Sequence, residues 1–327
     1  MTTEGIRIPV TILTGFLGAG KTTLLKRILS EPHGGRVAVI ENEFGEEGID
    51  NELLIESQEE TIVEMNNGCI CCTVRGDLVR ILGQLLDRRD AGAVNFDRVI
   101  IETTGLADPA PVAQTFFVEP KIRDRFDLDA IITVVDAVHG AQQLDEHHEA
   151  QEQVGFADRI LLSKTDLVSE ESLTALSQRL AQMNPRAPIR RVHFGQTPIE
   201  EILDIKGFDL SAILDIEPDF LTDVSHEHDD EVSAFVYRTD RAFDQRKLEA
   251  VLGLLVEEFG TQMMRYKGVV WLKNEAQRAI LQGVHMLMAA TMGRAWGESE
   301  KRASTLVFIG KNLPKEAFRE AFDRCAA

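Results

Sequence analysis

Cysteine is scarce in this sequence. There are four in 327 residues, and three of them, Cys69, Cys71 and Cys72, fall in one short segment, with Cys325 alone near the far end. A disulfide framework spreads its cysteines along the chain, so this distribution excludes one. It indicates reduced thiols in a reducing compartment, kept for metal binding or redox chemistry. Long apolar runs are missing too. No stretch reaches the about eighteen apolar residues of a membrane-spanning helix. The opening Met1-Thr2-Thr3-Glu4-Gly5 lacks the basic flank and cleavage site of a secretory signal. The expectation is a cytoplasmic protein without membrane association. Positive charge is in deficit: 35 Lys and Arg against 54 Asp and Glu give a net charge of −19. That disfavours nucleic acid and anionic lipid as partners, because both need basic patches. It serves solubility and is compatible with a protein that handles cations. Internal repeats and low-complexity tracts are also absent.

What is present is an ordinary globular composition, 44% apolar, long enough for one large or two moderate domains. Short continuous apolar runs at residues 8–14, 36–41, 61–65, 96–102, 130–136, 159–163 and 189–193 are buried-strand patterns. Helical periodicity separates most of them, as at residues 21–30, 74–89 and 170–183. Residues 42–57 are polar and acidic and predict a long loop. Apolar strands alternating with helices indicate an α/β fold with a doubly wound, mainly parallel sheet over residues 1–208. Residues 209–230 are acidic and irregular and predict a linker. Residues 231–327 predict a smaller α+β domain: strands at 231–238, 268–273, 283–290 (helix being open for this last one) and 305–310, a helix at 245–259, and a final helix opened by Pro314.

Three signals carry nucleotide chemistry. Gly15-Phe16-Leu17-Gly18-Ala19-Gly20-Lys21-Thr22 fits G-x-x-x-x-G-K-S/T, with an apolar strand before it and a helix after it. The glycines let backbone N–H groups turn toward phosphate oxygens, and the helix dipole points at the same anion. Gly15, Gly18, Ala19, Gly20, Lys21, Thr22 and Thr23 are the expected phosphate cradle, with Lys21 on the β- and γ-phosphates and the Thr22 hydroxyl on Mg2+. Second, the strand ending in Glu102-Thr103-Thr104-Gly105 puts a carboxylate at the Walker B position for Mg2+, and a glycine whose N–H can reach the γ-phosphate. Lys21, Thr22 and Glu102 are the expected catalytic groups. Third, Ser163-Lys164-Thr165-Asp166 follows a strand where GTPases carry N-K-x-D. Asp166 would accept from the guanine N1–H and 2-amino groups while the Lys164 stem covers the base. Ser163 departs from the usual Asn. Guanine is favoured over adenine, so GTP and GDP are the expected ligands.

Cys69-Ile70-Cys71-Cys72 is the least ordinary feature. Soft thiolates favour Zn2+ or Cu+ over Mg2+. Packing as small hydrophobes and a redox switch are the other readings, but the polar Asn66-Asn67-Gly68 just before argues for an exposed loop. Adjacent cysteines cannot easily all bind one ion, so further ligands are expected from Glu41-Asn42-Glu43-Phe44-Gly45-Glu46-Glu47, which also lies between the P-loop and the Walker B strand. Both segments then belong beside the γ-phosphate, where switch regions lie. His147-His148 and His226 with His228 are weaker metal candidates, read more simply as a solvated acidic surface. His33, His139, His193 and His285 stand alone and have no assigned role.

Taken together, TGFLGAGKTT, ENEFGE, NNGCICC, IETTGLADP and SKTD, with RYKG and LVFIG in the C-terminal half, resemble the CobW family of metal-handling P-loop GTPases over nearly the whole chain. The resemblance implies a slow GTPase that binds zinc, with cobalt or nickel as alternatives, and delivers it to a client metalloprotein. It also implies that the middle cysteine and two glutamates, here Cys71, Glu41 and Glu46, hold the metal, with Cys69 and Cys72 nearby. The expected activity is Mg2+-dependent GTP hydrolysis coupled to zinc loading or release. A zinc sensor or buffer that does not turn nucleotide over is the alternative, and a homo-oligomer is left open. No residue stands out as the base that positions water, so hydrolysis is expected to be slow without a partner.

Overall fold

The computed structural model describes residues 7–30, 35–41, 61–64, 74–193, 198–199, 202–205, 207, 232–297 and 300–326. The chain divides into two compact units, Met1–Ser177 with Ala187–Phe208, and Gln178–Arg186 with Asp209–Ala327. The expected linker at 209–230, with His226 and His228, lies outside the described residues.

The first unit is built from β1 (Ile8–Thr14), α1 (Lys21–Ser30), β2 (Val37–Glu41), β3 (Thr61–Glu64), α2 (Val74–Asp90), β4 (Arg98–Glu102), α3 (Ala110–Val118), α4 (Pro120–Arg123), β5 (Phe126–Asp136), α5 (Gly140–Glu146), α6 (His148–Phe156) and β6 (Arg159–Ser163). A 3-10 turn at Thr165–Leu167, α7 (Glu170–Met183) and β7 (Ile189–Arg191) follow, α7 grouping with the second unit from Gln178 onward. The seven strands lie in the order β3-β2-β4-β1-β5-β6-β7, and each described pairing is parallel. Helices cover both faces of such a sheet, which is why its strands are apolar throughout rather than alternating. Val10, Ile12, Val37, Val39, Ile100, Ile132 and Leu161 are fully or almost fully buried. Leu24, Leu25 and Ile28 of α1 pack with Leu13, Val39, Ile100, Val134 and Leu161 in one core cluster.

The order also locates the site. From β1 the chain steps to β2 on one side. It returns to β4, which lies between them, and then crosses to β5 on the other side. The carboxyl end of β1 is therefore a topological switch point, the place where open α/β sheets bind ligands.

The second unit holds β8 (Val232–Thr239), α8 (Gln245–Phe259), β9 (Met263–Val270), β10 (Gln277–Val284), β11 (Leu287–Ala295), β12 (Ser304–Lys311) and α9 (Lys315–Cys325). Its strands form an antiparallel sheet in the order β11-β10-β9-β12-β8. Leu248, Leu252 and Leu255 of α8 and Phe318 and Phe322 of α9 pack with Phe235, Tyr266, Leu306 and Phe308 of the sheet. Phe235 and Phe308 stack with ring centroids 5.2 Å apart. Asp244 caps α8 by accepting from the Lys247 N–H at 3.1 Å, and Pro314 occupies the position just before α9.

Two strand expectations in this unit are corrected. The run at 268–273 is the end of a longer strand that begins at Met263 and stops at Val270. The run at 283–290 is a hairpin: β10 ends at Val284 and β11 starts at Leu287. The turn escapes notice because its left-handed residue is His285 (φ 51°), not glycine or asparagine. In the first unit β5 begins at Phe126, paired to Ile8, four residues before the continuous apolar run.

Candidate nucleotide and metal site

β1 ends at Thr14, and the next residues reverse the chain into α1. Gly15, Gly18 and Gly20 hold φ of 143°, 73° and 101°, which side-chain-bearing residues rarely adopt. At Gly15 a Cβ would also meet the Val134 carbonyl oxygen at 2.3 Å. Lys21 opens α1 and is buried; its Nζ donates to the carbonyls of Gly15 at 2.8 Å and Phe16 at 3.3 Å. Burial pushes the pKa of this ammonium below the usual lysine value, and the Glu102 charge works against that shift. The next residue, Thr22, donates its hydroxyl to Glu102 Oε1 at 3.1 Å. Thr23 lies in the same first turn, exposed.

Glu102 is the last residue of β4 and is buried. Behind it Thr103 ties β4 to β1: its N–H donates to the Leu13 carbonyl at 3.0 Å, and its Oγ1 lies 2.8 Å from Thr14 Oγ1. Gly105 then packs on the P-loop. A Cβ there would lie 2.6 Å from the Leu17 backbone nitrogen, so only glycine allows the loop this close.

The segment expected to read guanine is more connected than the sequence suggests. Ser163 Oγ donates to the Ala19 carbonyl at 2.7 Å, with the Val135 carbonyl at 3.3 Å. The hydroxyl thus tethers the end of β6 to the P-loop in place of the usual asparagine. Lys164 adopts a left-handed conformation (φ 55°), and its Nζ pairs with Asp136 Oδ2 at 2.7 Å. Asp136, buried at the end of β5, also accepts from the Val138 N–H at 2.8 Å and lies 2.9 Å from His139 Nδ1. Burial alone would raise the pKa of this carboxyl, but Lys164, His139 and the Val138 N–H together hold it below the usual range. Asp166 Oδ1 lies 3.2 Å from His193 Nδ1.

Of the expected metal ligands, Glu41 ends β2, half-buried and in register with Glu102 of β4 and Glu64 of β3. Glu46, Cys69, Cys71 and Cys72 lie outside the described residues. Among the described residues no group of three or more His, Cys, Asp or Glu is placed to hold a metal. His147 stacks its ring on Phe16 of the P-loop, centroids 4.6 Å apart.

Sequence reasoning missed Asp136, His139, His193 and Gln153. Gln153 is buried on α6 and donates its amide to the Gly105 and Ala107 carbonyls, both at 3.1 Å. Asp136 alone left a signal, an acidic residue closing an apolar strand just as Glu102 does. His139 acts on Asp136 three residues before it, whereas His193 and Gln153 sit in unremarkable polar contexts and act on partners distant in the chain.

Residues 9–191 match the CobW/HypB/UreG nucleotide-binding domain, and residues 232–326 match the cobalamin synthesis protein cobW C-terminal domain. The zinc chaperone YjiA of Escherichia coli K12 is 44% identical over 316 residues, 96% of this chain and 98% of that one. The zinc-regulated GTPase metalloprotein activator 1 of Dictyostelium discoideum is 34% identical over 307 residues, 81% of this chain and 63% of that one. The crystal structure of Zn(II)-bound YjiA GTPase from E. coli superposes with a TM-score of 0.81 at 39% identity, covering 98% of this chain and 99% of that one. With both domain matches in order along one chain, this protein belongs to the CobW family of P-loop GTPases.

Proposed function

We propose that this chain couples GTP hydrolysis to the binding of zinc at Glu41, Glu46 and Cys71, with Cys69 and Cys72 beside them, and to its transfer to a client metalloprotein. The observation that carries this reading is the register of Glu41 with Glu102 on adjacent parallel strands, one carboxylate on the expected cargo site and the other on the expected Mg2+ site. The names of the relatives, zinc chaperone and zinc-regulated GTPase metalloprotein activator, support zinc as cargo and a metalloprotein as recipient.

The residues fit the chemistry. Thr22 and Glu102 offer a hydroxyl and a carboxylate 3.1 Å apart, the hard oxygen donors Mg2+ takes. Mg2+ held there would neutralise the negative charge that develops on the phosphates during transfer. Lys21 brings a buried ammonium whose three donors can keep one P-loop carbonyl and give another hydrogen bond to phosphate. Gly15, Gly18, Ala19 and Gly20 supply the backbone cradle, and Gly105 the N–H toward the γ-phosphate. Asp136 and Ser163 act behind the base: one holds Lys164, the other holds the P-loop. Asp166 would then take the guanine donors. None of these groups is placed to activate water, in keeping with slow turnover that a partner completes.

The test is steady-state GTP turnover with and without Zn2+, followed by transfer of zinc from the loaded protein to an apo-metalloprotein. Turnover that responds to Zn2+, and transfer faster with GTP than with GDP, are expected. Zinc binding without any turnover would instead identify a buffer.

A further inference from the structure

The loop after β4 is fastened by a side chain that no motif contains. Gln153 is 1% exposed on α6, and its Nε2 donates to the carbonyls of Gly105 and Ala107 at 3.1 Å each. Both partners can only accept, so the amide orientation is fixed and both of its hydrogens are used. The donor is itself anchored: the Gln153 carbonyl accepts from Thr133 Oγ1 of β5 at 2.6 Å. Between the two fastened carbonyls the loop makes a turn, with the Ala107 N–H on the Thr104 carbonyl at 3.1 Å and Leu106 carried outward. On its other side Gly105 lies against the Leu17 backbone of the P-loop, with no room for a Cβ. The loop is thus pressed between the amide and the P-loop. His147, just before α6, stacks on Phe16 of that same P-loop.

We propose that Gln153 is a positioning residue for γ-phosphate recognition. The inference rests on reading Gly105 as the γ-phosphate contact. Two hydrogen bonds from a buried amide hold the Gly105–Ala107 turn in place before nucleotide arrives. Without them the turn must be ordered when the γ-phosphate binds, and that entropy is subtracted from GTP affinity. GDP has no γ-phosphate, so its affinity does not depend on the turn. Gln153 therefore sets the preference between the two nucleotides without touching either.

The test uses full-length protein and Gln153→Met, which keeps chain length and apolar packing but removes both donors. Affinities for fluorescent GDP and a non-hydrolysable GTP analogue are measured for each. The expected result is an analogue affinity weakened about tenfold with GDP affinity unchanged within about twofold. An unchanged ratio, or an equal loss for both nucleotides, overturns the inference. Wild type binding neither nucleotide would remove the site reading itself, a different failure. A second measurement needs no variant: hydrogen exchange at the Ala107 amide. It is expected to be as slow in nucleotide-free wild type as with the analogue bound. Protection that appears only with the analogue would show that the turn is not held in advance.

Discussion

Glu41 and Glu102 stand in register at the carboxyl ends of β2 and β4. Neighbouring strands run about 4.8 Å apart, and register partners point to the same face of the sheet. Glu102 already accepts from Thr22 at the head of the P-loop helix. Glu41 is the one proposed zinc ligand among the described residues, and the chain leaves β2 directly into the segment that carries Glu46. The proposed phosphate end of β4 and the proposed cargo site therefore lie on neighbouring strands.

Lys21→Ala should lower GTP turnover about a hundred- to a thousandfold while the fold persists. The buried ammonium sits on the Gly15 and Phe16 carbonyls, beside the proposed phosphate site. Turnover by phosphate release, with circular dichroism for the fold, checks this. Unchanged turnover would remove the nucleotide-site assignment.

Asp166→Asn should weaken GTP by about two orders of magnitude or more and create affinity for xanthine nucleotide. Xanthine carries an oxygen where guanine carries its 2-amino group, so the site then needs a donor. His193, 3.2 Å from the carboxylate, lies close enough to orient either side chain. Competition titrations with GTP, ATP and XTP measure it. Equal wild-type affinity for ATP and GTP would show that residues 163–166 have been misassigned.

The second unit should lose stability in acid. The pKa of Glu300 is lowered to about 2 by the Gly297 N–H and by Arg278 and Arg294. A depressed carboxyl pKa stabilises the fold above the ordinary value of 4.5, and that stability fades as pH falls toward about 2. Arg278 is buried, pairs with Glu300 and lies 4.7 Å from the Trp296 ring centroid, so it depends on this carboxylate. Glu300→Gln should cost about 1–2 kcal/mol at neutral pH and flatten the acid dependence. Thermal melts of the full chain between pH 2 and 7 measure both, and an unchanged profile contradicts the assignment.

These residues also show what a sequence reveals. The bounds of β1, α1, β6, α7 and α8 are legible because continuous apolar runs and helical periodicity are local properties. The P-loop is legible for the same reason, since its eight residues are contiguous. The hairpin at His285 is not, because a left-handed histidine leaves no turn signature. His193 and Gln153 are not, because each acts on a partner that only the fold brings near, and Asp136, though it closes an apolar strand, meets Lys164 only because β6 lies beside β5. The pairing of Glu41 with Glu102 belongs to the same class: both residues stand out singly, but their adjacency depends on β4 entering between β2 and β1.

On this reading zinc affinity follows nucleotide state. In switch GTPases the γ-phosphate and its Mg2+ order nearby loops that hydrolysis releases, and the same coupling is proposed for this site. The direct measurement is a Zn2+ competition titration with GDP and with a non-hydrolysable GTP analogue, on wild type and on Cys71→Ala. Tighter zinc binding with the analogue is expected, by about five- to 150-fold, with an equal effect of zinc on analogue affinity, since coupling is reciprocal. Cys71→Ala is expected to bind zinc more weakly in both states. The same wild-type zinc affinity with both nucleotides would contradict the switch, even if both sites exist.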